Sequence, residues 1–385
     1  MSELIREEGQ TKELNDDRER KIAICENVLS IYSPSGEEEK LASYIHSELI
    51  SQGLAPRIDP AGNVISETGF GKKTLLLCGH MDTVPGELAL KIEGTLLYGR
   101  GACDAKGPLL SMLFAFEEIA REFRSNPDLA SRGKVIFAGV VGEEKESKGL
   151  QELINQKLTS HAAIFGEPAG LGRVTIGYRG HIPVFLEIST REAHGSAPWL
   201  GTNAIEVAYD LYKQIKRTLV ENEKDTNSFS VAMTELHSGK TQNVIPGSAQ
   251  ATLDVRVPLG YTFDMVSSRI KKLGAKLESK HGCSIRMTFG KHTEPYRAKL
   301  DSNVIRALNR SMLKLGFGKP SFVSKSGTGD MNTYALHFGN ECVTYGPGDS
   351  SLSHTEKEAI DLEEIFDCSK VLKQAALEFL SLGGS

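Results

Sequence analysis

The chain has 385 residues, of which 39% are apolar and 25% charged, with a formal net charge of −5. That balance belongs to a folded, soluble protein with a full core, and the length suits two or three domains. The small acidic excess, with no dense stripe of Lys and Arg, argues against nucleic acid as partner. No apolar run approaches the roughly 18 residues of a membrane span.

The first residues, MSELIREEGQTKELNDDRER, are charged and hold no apolar stretch, so no secretion signal is expected. Helices are expected over about 19–52, interrupted at SPSGEEE, where Ser35 and Glu38 have capping-box spacing for the second helix. LLLCG (75–79) reads as a buried strand and leads into GHMDTVP. In GPLLSMLFAFEEIAREF (107–123), Leu109, Leu113, Phe116 and Ala120 form a stripe at helical period. KVIFAGVV (134–141) is a second apolar strand, QELINQKL a helix, and AAIF (162–165) a third strand. Strands alternating with helices predict an α/β unit with a mostly parallel sheet.

The pattern then changes. HIPVFLEIST (181–190) and SAQATLDVRVPL (248–259) alternate as half-exposed antiparallel strands do. Two long helical stretches, about 202–222 and 262–281, accompany them. Beyond KHTEPYR the α/β pattern resumes, with a helix at 302–315, a strand at 341–346 and a last helix at about 361–381. The expected organisation is a discontinuous catalytic domain, 1–175 and 293–385, into which 176–292 is inserted as a small α+β sandwich. Six cysteines without CxxC spacing read as reduced thiols of a cytoplasmic protein.

The expected strand ends carry the chemistry. His80 and Asp82 follow LLLC, Glu143 and Glu144 follow VIFAGVV, Glu167 follows AAIF, and His354 follows CVTYG. Asp104 lies in GRGACDAKG, before the long helix. Two histidines and three carboxylates suit two zinc-like ions bridged by one carboxylate. His80, Asp104 and Glu167 would hold one ion; Glu144, His354 and Asp104 would hold the other. Asp82 has the right type and spacing to orient His80. Glu143 is left over, and a free carboxylate beside activated water is what a general base requires. The GxG of GRGACDAKG is not a dinucleotide fingerprint, because Asp104 breaks it and no strand feeds it. KSG at 325–327 is too short to argue for a serine hydrolase.

GHMDTVP, LYGRGACDAKGP, GEEKESKG, FGEP, AHGSAP and SHTEKE together resemble the di-zinc aminoacylase and carboxypeptidase family, which includes acetylornithine deacetylase and succinyl-diaminopimelate desuccinylase. The resemblance covers nearly the whole chain, in order. It implies a di-zinc exopeptidase-like catalytic domain with an inserted lid and dimerisation domain, two Zn2+ per subunit with Co2+ or Mn2+ as alternatives, and a homodimer. It assigns the ligands and base to the residues already named and implies a cis peptide after Asp104. The implied reaction is amide hydrolysis, with Glu143 as base and the lid histidine, His194, as a donor to the developing oxyanion.

Arg256, in LDVRVP, suits a substrate carboxylate because a guanidinium pairs with it bidentately; Asn243 is a second lid candidate. SKSGTGDMNTY (324–334) is similar to the loop of acetyl-lysine and acetyl-ornithine deacetylases of lysine biosynthesis, some of which release lysine or ornithine from an amino-group carrier protein. Gly327 and Thr328 would admit the substrate, and Asp330 would meet a basic side chain. Gly329 stands where serine is expected in close relatives. The resemblance thus implies removal of an N-acyl group from an amino acid, foremost Nα-acetyl or carrier-linked lysine or ornithine, in lysine or arginine biosynthesis. Dipeptidase, carboxypeptidase and succinyl-diaminopimelate desuccinylase are the alternatives.

Overall fold

Apolar runs without alternation form strands covered on both faces. In the computed structural model, which describes residues 2–222 and 224–382, four such runs make the centre of a mixed sheet. Gly133–Val140, Lys73–His80, Ala162–Gly166 and Glu341–Thr344 lie side by side in that order, all parallel. Their carboxyl ends therefore share one edge. Gly79 pairs with Gly139 on one side and Gly166 on the other, so the loops bearing His80, Glu143 and Glu167 leave the sheet at the same level. Val64–Gly69, not foreseen from the sequence, adds an antiparallel strand beyond Gly133–Val140.

Leu75, Leu76 and Leu77 are fully buried, as are Leu113, Phe114 and Phe116 of the helix Gly107–Ser125. That helix is covered on more than its predicted stripe, because the helix Leu362–Ser381 packs against it, with Phe114 and Phe366 ring centroids 6.1 Å apart. Each buried Leu or Phe stabilises by roughly 1.5–3 kcal/mol. The sheet and its helices thus form a rigid base for the loops at its edge.

The chain divides into two compact units. The first runs to Ile176 and takes in Ala298–Val323 and the residues from His337 onward; the second comprises Gly177–Arg297 and Ser324–Leu336. The second unit is built on a four-stranded antiparallel sheet, ordered Ser230–Ser238, Ser248–Val257, Gly180–Ser189, Ser284–Phe289. The alternation read in the two central strands puts Ile182, Val184, Leu186, Ile188, Leu253 and Val255 into one core with Leu211 and Ile270 of the helices Ala204–Leu219 and Phe263–His281. Asn203 and Thr262 cap those helices by accepting from the Ile205 and Met265 amides. The two outer strands were missed because their exposed edges weaken the alternation.

Three local expectations are corrected. The first helix spans Ser2–Ser30, well upstream of residue 19. The next helix starts at Glu39 with no side-chain cap: Ser35 donates to the Asp82 carboxylate instead, and Glu38 accepts from the Gly142 amide. The segment after Gly329 is not a loop but the helix Asp330–Phe338, with Asp330 buried in its first turn.

Candidate metal centre

His80 is the last residue of its strand and is 2% exposed. Its Nδ1 lies 2.9 Å from the main-chain oxygen of Asp82, closer than the 3.4 Å to the Asp82 carboxylate. A carbonyl only accepts, so Nδ1 carries a proton, and when the ring is neutral Nε2 presents a lone pair. That Nε2 is buried without a hydrogen-bond partner, 3.5 Å from Asp104 Oδ1 and 3.7 Å from Glu167 Oε1. A buried lone pair facing two carboxylates is stable only with a cation between them or a proton on the ring. The same imbalance appears in the ring's pKa: burial alone would lower it, but Asp104, Asp82 and the charges of Glu167 and Glu143 raise it well above the ordinary value. The donor set of imidazole and carboxylates fits a zinc-class ion.

Asp82 does more than its spacing indicated. Its carboxylate is fully buried and accepts from the Glu143 amide at 3.0 Å, the Glu144 amide at 3.0 Å and the Ser35 hydroxyl at 2.6 Å. It ties the His80 loop to the loop bearing the paired glutamates. Burial would raise its pKa; His80, Ser35 and the Glu144 amide overcome this and hold it at about 2.

Asp104 sits in an irregular turn, Ala102–Lys106, with a cis peptide between Asp104 and Ala105, as the resemblance implied. On its other side is His354, whose Nε2 is 3.4 Å from Asp104 Oδ2 and 2.8 Å from Glu144 Oε1. Burial and the nearby Asp104 charge raise the Glu144 pKa, against His80 and His354. Asp104 therefore lies between His80 and His354, the place a bridging ligand must occupy. Ligand atoms of His80, Asp104 and Glu144 lie within 4.8 Å of one another, as do those of His80, Glu143 and Glu167. Proximity alone thus leaves Glu143 eligible as a ligand as well as a base.

The remaining candidates lie in the second unit. His194 pairs with Val244 in a short antiparallel ribbon, and the main-chain oxygen of the adjoining Asn243 accepts from the Gly195 amide at 2.7 Å, so the two lid candidates are neighbours. His194 is exposed, with Nδ1 2.7 Å from the Ser196 hydroxyl. Arg256 uses Nε and Nη2 on Asp254, at 2.8 and 2.9 Å. Gly327 and Thr328 precede the helix Asp330–Phe338. Arg179, which sequence reasoning passed over, is buried in the same unit and donates to the main-chain oxygens of Ser326 and Ser228, which fixes the approach to Gly327.

Parallel strand ends gathering histidines and acids define a metal-dependent hydrolase class, and the comparisons agree. Residues 76–378 match the model of peptidase family M20/M25/M40, and the chain belongs to that family. A relative from Pyrobaculum aerophilum is 36% identical over 356 residues, covering 92% of this chain and 96% of its own. Another, from Sulfurisphaera tokodaii, is named "[LysW]-lysine/[LysW]-ornithine hydrolase" and is 35% identical over 340 residues, covering 88% and 90%. Among solved structures, aminopeptidase PepT from Bacillus cereus shares the fold with a TM-score of 0.80 at 19% identity, covering 94% of this chain and 98% of its own. The protein is a hydrolase of a metal-dependent family. Among the described residues, no helix is long and apolar enough to cross a membrane.

Proposed function

We propose that the protein is a cytoplasmic zinc-dependent amide hydrolase that releases lysine or ornithine from an amino-group carrier protein, with Nα-acetyl-lysine and Nα-acetyl-ornithine as lesser substrates. The observation that carries the chemistry is the buried, unpartnered His80 Nε2 facing Asp104 and Glu167. The names of the relatives favour carrier-linked substrates over the peptidase readings.

His80, Asp104 and Glu167 would hold one cation, and Asp104, Glu144 and His354 a second. Such cations supply Lewis-acid polarisation of the scissile carbonyl and make water at the site more acidic. Glu143 takes the proton of the attacking water and passes it to the leaving amine. Asp82 holds the His80 ring and both glutamate amides, so that base and ligands keep their spacing. His194 donates to the developing oxyanion. Arg256, with two nitrogens already on Asp254, offers Nη1 to the substrate carboxylate, and Asn243, Gly327 and Thr328 are further substrate contacts. A homodimer formed through the second unit is supported by Trp199 and Leu200, which stand 77% and 58% exposed just after the His194 ribbon.

The test is hydrolysis by purified protein with added Zn2+. The panel holds lysine- and ornithine-loaded carrier, both Nα-acetyl amino acids, N-succinyl-diaminopimelate and dipeptides, with Glu143→Ala as control. Fastest turnover of the loaded carrier, lost in the control, is expected. Preference for dipeptides or the succinyl substrate would overturn the substrate assignment.

A further inference from the structure

Arg100 and Glu358 lie outside the set of ligands, base and lid residues, yet both face the metal-binding loops. Glu358 is 1% exposed and immediately precedes the strand Ala359–Asp361, which pairs with Leu96–Tyr98. That pairing sets Glu358 at the mouth of the turn carrying Asp104. One carboxylate oxygen, Oε1, accepts from the Cys103 amide at 3.1 Å and the Asp104 amide at 2.9 Å. The other, Oε2, accepts from Arg100 Nη1 at 2.9 Å. Arg100 in turn donates from Nε to the Gly86 main-chain oxygen at 2.9 Å and from Nη1 to that of Thr355 at 3.2 Å.

One ion pair thus grips three loops: 81–86 after His80, 99–104 ending in Asp104, and the segment after His354. The amide of Asp104 is one bond from the carbon that bears its carboxymethyl group, so an acceptor there sets where the carboxylate points. A charged acceptor orients amides more strongly than a neutral one. The Arg100 charge balances Glu358, so the anchoring adds no net charge beside the centre. Gly101, between them, has φ +81°, and a Cβ there would lie 2.6 Å from Thr83 Cγ2, so the turn already presses against the His80 loop.

We propose that the Arg100–Glu358 pair is a positioning clasp that fixes Asp104 between His80 and His354 and so sets the affinity for both cations. This rests on the two-cation reading above. Partners that orient ligands typically change metal affinity by about 10- to 100-fold when removed.

The test measures Zn2+ affinity and stoichiometry of the full chain by competition with a chromophoric chelator. It compares wild type, Glu358→Gln, Glu358→Ala and Arg100→Lys, and follows thermal unfolding of each apoprotein separately. The Co2+ absorption spectrum of each loaded protein reports ligand geometry. Glu358→Gln keeps an amide acceptor and the side-chain volume, so it carries the test if Glu358→Ala does not fold. The expected result is two wild-type equivalents, both weakened about 10- to 100-fold in folded Glu358 variants, with an altered Co2+ spectrum. Wild-type affinity and spectrum in a folded variant with lowered apoprotein stability would reduce the pair to a structural brace and overturn the clasp. Failure of wild type itself to bind two equivalents would instead remove the reading on which the clasp rests.

Discussion

At the scale of single residues, the adjacent acids Glu143 and Glu144 are separated by what surrounds them. Glu144 meets His354 at 2.8 Å, whereas Glu143 is grouped with His80 and Glu167. If Glu143 moves the proton, Glu143→Ala lowers kcat by about 10²–10⁴-fold and leaves bound metal unchanged; loss of metal in that variant would make it a ligand instead. Asp254 gives a separate, pH-based test in the second unit. Burial would raise its pKa, but His181 and Arg256 outweigh this and hold it at about 2, below its ordinary 3.8. The unfolded chain therefore takes up this proton first as pH falls. The stabilisation is complete above about 3.8 and is lost towards 2, amounting to about 1–2 kcal/mol after allowance for partial exposure. Wild type should lose more stability than Asp254→Asn between pH 5 and pH 3; parallel losses would contradict the assignment. Four of the five proposed ligands were legible in the sequence because each follows an apolar run, whereas Asp104 sits in a turn before a helix. Their second partners were not: Ser35 looked like a helix cap, and only folding carries it to Asp82, 47 positions away.

At the scale of elements, four parallel strands ending at one edge turn scattered motifs into a single site. The runs were readable because parallel strands are apolar throughout. The register was not, since a continuous apolar run carries no alternation to fix it. The loop after Gly133–Val140 is held by Asn63, whose buried side chain accepts from the Val141 amide at 3.1 Å and donates to the Gly149 oxygen at 2.9 Å. A Cβ on Gly149 would lie 2.3 Å from Asn63 Oδ1 and 2.5 Å from the Val141 nitrogen. Gly149→Ala must push this backbone apart. It is expected to destabilise by about 2 kcal/mol or more and to weaken metal binding through Glu144, read by thermal unfolding with and without Zn2+. Unchanged stability would show that the loop is not held there. Edge strands such as Ser230–Ser238 escaped notice for a related reason: a strand with one neighbour and much exposed surface needs little apolar pattern.

At the scale of the whole molecule, the first unit holds the side chains that could hold metal ions, and the second holds the groups proposed to grip substrate. If the exposed Trp199 and Leu200 are covered by a second copy, Trp199→Asp should convert a dimer to a monomer in sedimentation. A monomeric wild type would refute that interface. The central claim is that Asp104 bridges two cations while Glu143 binds neither. It is tested most directly by anomalous diffraction at the zinc edge from crystals grown with Zn2+. Two peaks are expected, one ringed by His80, Asp104 and Glu167 and the other by Asp104, Glu144 and His354, with the Glu143 carboxylate outside both coordination spheres. A single peak held by His80, Glu143 and Glu167 would contradict the bridge and the base together.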